Sequence, residues 1–413
     1  MWPHCCPDFI RKPITINTEI ILQNKESVVN EFNDYAYQYK KAARVIVENL
    51  VSTQRISKLD THFFSVAFLY RHSLELILKS IGLKYIVTVE EQKNFLKDTF
   101  HNLSSLFLTI KNFVRDKEAY TWLEAYFADI DSLDKESDSF RYPFSIKFER
   151  VGNNKRYYIH PFIDKQTHIN LVSFVNKMEI AFYILECIYK ENNEIEEHYK
   201  EYSATFLEEG GDYHLQSVIG YSYTVNEYYS YIRGYIESAE VLYTKLNENC
   251  DLKSVVFNPM CYLYRNGLEL SMKEILFKEC SYDFQTAAGL LKDCSHSLLK
   301  IWRYIKQDII QHSNAPEDDN TLENVEKYLK QLHNFDGAAD KFRYPTNKYL
   351  ERHFKNPKKL DVQNIYEFFE EITNFFSGAS SMMSAQNEYI AEMQAEMEAE
   401  YLSEMRSYYS DGY

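Results

Sequence analysis

The sequence predicts an all-α protein made of two helical bundles in tandem, and three observations point there. Glycine and proline supply only 20 of 413 residues, and no proline interrupts 14–142 or 162–258, which favours long helices. Apolar and aromatic side chains recur at helical spacing, as in Phe32, Tyr35, Tyr39, Ala43, Ile46 and Leu50. The chain also repeats itself. Tyr70-Arg71-His72-Ser73-Leu74-Glu75-Leu76-Ile77-Leu78-Lys79 returns as Tyr264-Arg265-Asn266-Gly267-Leu268-Glu269-Leu270-Ser271-Met272-Lys273. His101-Asn102-Leu103 returns as His296-Ser297-Leu298, and Phe140-Arg141-Tyr142-Pro143 as Phe342-Arg343-Tyr344-Pro345. The displacements are 194, 195 and 202 residues, in unchanged order. A tandem duplication is the expectation, with units 25–207 and 213–385 between an N-terminal segment 1–24 and a tail 386–413.

Taken in order, the first helix runs from Val28 to Ser52, with a counterpart from about Val225 to Leu246. The second holds the Tyr-Arg motif, from about His62 to Leu83 and from about Asn258 to Cys280. Shorter helices follow, one opening near His101 or His296 and another running from Lys117 to Leu133 or from Thr321 to Phe335. Phe-Arg-Tyr-Pro is a loop, because proline disfavours helix at the residue before it. A long helix closes each unit, about His168 to Leu207 and Val362 to Met383. Before it, the first unit alternates from Ser145 to His160 around Val151-Gly152-Asn153-Asn154, a β-hairpin pattern. The second unit has a basic stretch there, Lys348 to Lys359. The linker is placed at Glu208-Glu209-Gly210-Gly211-Asp212, which holds the sole Gly-Gly pair.

Each unit of about 190 residues can bury an ample core, and 35 Tyr and 27 Phe supply bulky filling for helix interfaces. Seven cysteines, odd in number and without a CxxC pair, suit a reduced cytoplasmic setting. The opening Met1-Trp2-Pro3-His4-Cys5-Cys6-Pro7 lacks the regions of a signal peptide. No segment approaches the roughly 20 apolar residues of a membrane helix. A net charge of −15 argues against non-specific nucleic-acid binding by the whole surface but leaves room for a local basic cleft.

The repeated motif carries chemistry as well as spacing. On a helix Arg71, Glu75 and Lys79 fall on one face at i, i+4 and i+8, and Arg265, Glu269 and Lys273 do likewise. Flanked by Leu74 and Leu78, or by Leu268 and Met272, these charges border a core stripe and need partners. Arg141 and Arg343 could hold the carboxylates through paired hydrogen bonds, and His101 and His296 could donate into the same networks. A buried ion-pair network that fixes packing register is the plain reading. A ligand-contacting site is the sharper one, with His101, Arg141, His296 and Arg343 as catalytic candidates.

This ordered set resembles the HEPN superfamily of small helical bundles, over roughly 28–205 and 222–385. The resemblance implies RNA-cutting toxins, subunits of nucleotidyltransferase pairs, nucleotide-binding modules or parts of prokaryotic antiviral systems. The ribonuclease members carry Arg, a polar residue and then His four to six residues after the Arg. Here Arg71-His72 and Arg265-Asn266 begin correctly, but no His falls at 75–78 or 269–272. The ribonuclease site therefore does not carry over.

Two further features stand outside the repeat. Lys348, Arg352, Lys355 and Lys358, interleaved with Tyr349, His353 and Phe354, could contact phosphates and stack a base, or form a solvated face. The tail writes EYIA, EMQA, EMEA, EYLS and EMRS in succession, a ladder of Glu388, Glu392, Glu396, Glu400 and Glu404 beside a Tyr/Met stripe. It fits a helix that packs on its own or another subunit. Three adjacent residues, His4, Cys5 and Cys6, do not make a metal site, and no cofactor is implied. The function expected is a HEPN-like nucleotide-, RNA- or protein-binding module of a prokaryotic defence or toxin system. The alternatives are an atypical ribonuclease and a scaffold subunit of a complex, with homo-oligomerisation open.

Overall fold

A computed structural model of the chain describes residues 2–3, 7–11, 18–152, 154–192, 194–220, 228–313, 316 and 318–410. The first half holds α1 (Val28–Thr53), α2 (Ile56–Tyr85), α3 (Val89–Thr99), α4 (Leu103–Ile110), α5 (Lys117–Asp134) and α6 (Leu171–Tyr189). The second holds α7 (Tyr229–Glu248), α8 (Lys253–Glu274), α9 (Phe284–Cys294), α10 (Leu298–His312), α11 (Thr321–Asp336) and α12 (Val362–Ser410). The all-α class is as expected, since the strands among the described residues form only three two-stranded sheets.

Every residue of α2 from His62 to Leu83 is buried, as is every residue of α8 from Val256 to Met272. A helix covered on all sides is a core element. Their covers come partly from the opposite half: α2 packs on α7 as well as α1, and α8 on α1 as well as α7. Phe64 stacks on Tyr231 at 4.0 Å between centroids, Phe68 on Tyr262 at 4.8 Å, and Ser65 Oγ meets Ser238 Oγ at 2.6 Å. Gly234 permits this approach, because a Cβ there would stand 2.0 Å from the Thr61 carbonyl oxygen.

The strands tie the halves together reciprocally. Four-residue β1 (Glu19–Leu22), which leads into α1, pairs antiparallel with β6 (Lys358–Asp361), which leads into α12. In the same manner β4 (Thr167–Asn170), leading into α6, pairs with β5 (Gln216–Ile219) ahead of α7. The expected hairpin forms from β2 (Phe144–Val151) and β3 (Asn154–Pro161), with Asn153 outside the described residues. It reaches the other half, where Gln285 exchanges hydrogen bonds with the Tyr157 backbone at 2.7 and 3.0 Å.

Several boundaries differ from the sequence reading. The closing helix of the first half stops at Tyr189 instead of Leu207. Glu191 takes φ 57°, and Asn192 N donates to Cys187 O at 2.9 Å. The following segment turns back onto the bundle, with Trp122 Nε1 on Tyr202 O at 2.9 Å and Phe206 N on Asp129 at 2.6 Å. The Gly-Gly linker is also held: Gly210 N donates to His168 O at 2.9 Å, and both glycines use left-handed φ near 104° and 103°. Residues 221–227, where the seventh helix was expected to start, and His4, Cys5 and Cys6 lie outside the described residues. The tail does not form a separate element but continues α12 as one helix. Among the described residues no helix is long and apolar enough to cross a membrane.

Candidate functional site

The i, i+4, i+8 face of α2 forms the expected network. Glu75 accepts from Arg71 Nη1 at 3.0 Å and from Lys79 Nζ at 2.6 Å, with Arg71 and Glu75 fully buried. On α8, Glu269 receives Arg265 Nη1 at 3.0 Å and Lys273 Nζ at 2.7 Å. Each arginine also donates to the carbonyl of the histidine beyond the following helix, Arg71 to His101 and Arg265 to His296. Those histidines precede the N-caps Asn102 of α4 and Ser297 of α10. Their Nδ1 atoms lie 3.1 Å from Glu75 and 3.1 Å from Glu269 respectively.

The fourth partner of each carboxylate comes from the other half. Tyr344 donates its hydroxyl to Glu75 at 2.7 Å, and Tyr142 donates to Glu269 at 3.0 Å. The same rings lie under the lysine ammoniums, Lys79 at 4.8 Å from Tyr344 and Lys273 at 4.6 Å from Tyr142. Tyr39 on α1 holds the Phe342 carbonyl at 3.2 Å, while Tyr235 on α7 holds that of Phe140 at 3.1 Å. Each Phe-Arg-Tyr-Pro loop is thus clamped by the opposite half and completes that half's network.

The electrostatics follow from this packing. Burial alone would raise the Glu75 carboxyl, but Lys79 and His101 outweigh it and hold the group well below the usual carboxylate range. Burial likewise opposes Glu269, and Lys273 and His296 hold it well below that range. Desolvation lowers Lys79 and His101, with Glu75 acting against it. Desolvation thus favours the neutral form of His101, and its Nδ1–H, assigned from the hydrogen-bond network, donates to Glu75. Nε2 of His101 has no protein partner among the described residues, and the side chain is 27% exposed; that of His296 is 37% exposed. Each cluster thus has a charged floor and a histidine rim.

Arg141 and Arg343 do not clasp the carboxylates as anticipated. Arg141 donates to the Ser137 carbonyl at 2.7 Å and to Asp138, and Arg343 to the Ala339 carbonyl at 3.0 Å. Each is fixed inside its own loop because its Nε reaches the carbonyl four residues earlier. Arg343 lies over Tyr262 at 5.6 Å, and the positive charge of Arg141 bears on it from the other loop, so the loops converge where the halves meet.

Sequence reasoning missed two acids, Asp134 and Asp336. Asp134 Oδ2 pairs with Arg71 Nε at 3.0 Å, and its other oxygen caps Ser139 N at 2.9 Å. Asp336 accepts from Asp340 N and Lys341 N at 3.0 Å each. Both share the 202-residue displacement of the loops they anchor, which was the available signal.

The basic stretch divides. Arg352 turns onto the carbonyls of Lys25 and Glu26, Phe354 is buried, and His353 stands 3.7 Å from Asp340. Lys348, Lys355 and Lys358 remain exposed, with Tyr349 beside Lys348 as the sole exposed ring of the run. On the tail, Tyr389, Met393, Met397, Tyr401 and Met405 are all exposed. Among the described residues no group of histidines, cysteines and carboxylates suits a metal ion.

Compared with known proteins, the chain matches no family model, no curated protein sequence and no solved structure.

Proposed function

We propose that this chain is a HEPN-like binding module for nucleotide or RNA, arisen by tandem duplication and serving a prokaryotic defence or toxin system. One observation carries the reading: a buried Glu, a Lys, a rim His and a Tyr lent by the opposite half recur with matching distances in both halves. A lysine ammonium beside an imidazole edge suits a phosphate oxygen. Exposed Lys348, Lys355 and Lys358 would extend the contact to a longer strand.

The second reading, an atypical ribonuclease, is favoured by the histidine geometry. A carboxylate on Nδ1 leaves Nε2 free to take a proton, the arrangement a general base requires. The two readings separate in one experiment with fluorescent single-stranded RNA and with mononucleotides. For the His101→Ala/His296→Ala double variant, the binding module loses roughly tenfold in affinity, measured by anisotropy. The ribonuclease loses cleavage, measured on a gel. If the native chain neither retains nor cuts any of these ligands, both readings fall and assembly through 386–413 becomes the function to pursue.

A further inference from the structure

A cavity opens between the two halves, and none of the residues of the histidine rims lines it. It holds about 380 Å³ between β1, the start of α1, the start of α8 and the middle of α6, within the volume range of small-molecule sites. Two buried acceptors on its wall are unsatisfied. Glu31 is only 4% exposed; its Oε1 takes Asn24 Nδ2 at 2.9 Å and Lys25 N at 2.7 Å, yet its Oε2 has no hydrogen-bond donor. The nearest cation to that atom is Arg352 Nε at 4.0 Å. Asn258 is 5% exposed; its Nδ2 donates to Gln38 at 3.1 Å, while Oδ1 is without a partner. A buried acceptor left in this state costs free energy that a bound donor would offset.

The opposite half shows how the space could have been closed. The residue 194 positions before Asn258 is Phe64, and it stacks on Tyr231 at 4.0 Å. At Asn258 no such ring fills the gap beside Tyr35, the counterpart of Tyr231. Charge sets the kind of occupant. Of the acids lining the cavity, Asp34 is paired with Lys25 and Glu186 with Lys190 at 2.6 Å, which leaves Glu31 as the carboxylate without a close donor on one oxygen. Phe182 contributes a wall whose ring already lies 4.5 Å from the Lys40 ammonium, and Lys40 is neutralised by Glu179 at 3.4 Å.

We propose that this cavity binds a small aliphatic amine or guanidine, whose N–H groups donate to Glu31 Oε2 and Asn258 Oδ1 while its carbon chain lies on the aromatic wall. The site is independent of the nucleotide or RNA reading and would stand if that reading failed.

Calorimetric titration and thermal shift of the full chain with putrescine and agmatine test it, with butane-1,4-diol as the uncharged counterpart of equal length. The expected result is saturable binding of an amine and none of the diol. Glu31→Gln and Asn258→Phe should each weaken it by roughly tenfold. Asn258→Phe rebuilds the stack found in the other half, and Glu31→Gln keeps the Oε1 contacts, so near-UV circular dichroism should match the native chain in at least one variant. The proposal is overturned by no heat or shift with either amine at millimolar concentration, meaning that solvent alone fills the space. Equal binding of the diol, or native affinity in a folded variant, overturns it as well.

Discussion

The two halves solve one electrostatic problem with different completeness. In the first, Arg71 has Asp134 at 3.0 Å beside its bond to Glu75, and His72 Nε2 donates to the Arg343 carbonyl at 3.1 Å. In the second, Arg265 Nε and Asn266 Nδ2 are buried without hydrogen-bond partners, as Arg71 Nε and His72 Nδ1 are in the first. Among the described residues, however, Arg265 has no ion pair equivalent to Arg71–Asp134, and Lys273 and His296 are more exposed than Lys79 and His101. Around Glu75 the network is therefore nearer to a sealed packing element. Around Glu269 it is looser and wetter, and that rim is the better place for a ligand to enter.

The largest difference should come from removing each carboxylate. Glu75→Gln leaves Lys79 buried without a counter-charge and Arg71 with Asp134 alone, and a loss of about 3–5 kcal/mol is expected in urea denaturation. Glu269→Gln should cost visibly less, because Lys273 and His296 can turn to water. Equal losses would erase the contrast.

Acid stability gives the next effect. Burial pushes His72 down to about 4, with Glu75 acting against it, and His62 likewise falls to about 4 through burial. A histidine depressed in the folded state contributes stability that is complete above the unfolded value of about 6.5 and declines as pH falls towards 4. His72→Asn, which copies the second half, should flatten that decline by on the order of 3 kcal/mol at most. Denaturation midpoints at pH 7 and pH 4.5 measure it, and an unchanged difference would show that His72 does not distinguish the halves. Below that window, protonation of Glu75 and Glu269 removes further stability in both.

The smallest effect lies at the tail. Asn387 is anchored to His312 at 3.0 Å and to the Glu279 carbonyl at 3.0 Å, whereas the Tyr/Met stripe beyond it is exposed. Truncation after Asn387 should move stability by less than about 0.5 kcal/mol, as read from the thermal midpoint.

Much of this was legible in the sequence, and the limits have physical causes. The spacing of Phe32, Tyr35, Tyr39, Ala43 and Ile46 brought α1 within one residue of its end, because a long amphipathic helix is a local pattern. Spacing on α2 and α8 also gave the contacts among Arg71, Glu75 and Lys79 and among Arg265, Glu269 and Lys273. Four-residue strands such as β1 and β6 gave no signal, since what makes them strands is a partner more than 300 residues away. The same reason hid the exchange of Tyr142 and Tyr344. Periodicity names neighbours along one helix and says nothing about which half supplies the fourth ligand to a carboxylate. Arg141 and Arg343 were misjudged because a guanidinium's reach admits both a distant carboxylate and a carbonyl four residues back, and the loop conformation decides.

The Gly210-Gly211 crossing carries one consequence of the strand exchange. A protease cut there would sever the covalent tether while leaving β1 on β6, β4 on β5 and both tyrosine clamps in place. The two fragments would stay together as a heterodimer with non-identical subunits, each keeping the other's carboxylate satisfied. Unfolding would then depend on concentration, as it does for any obligate pair.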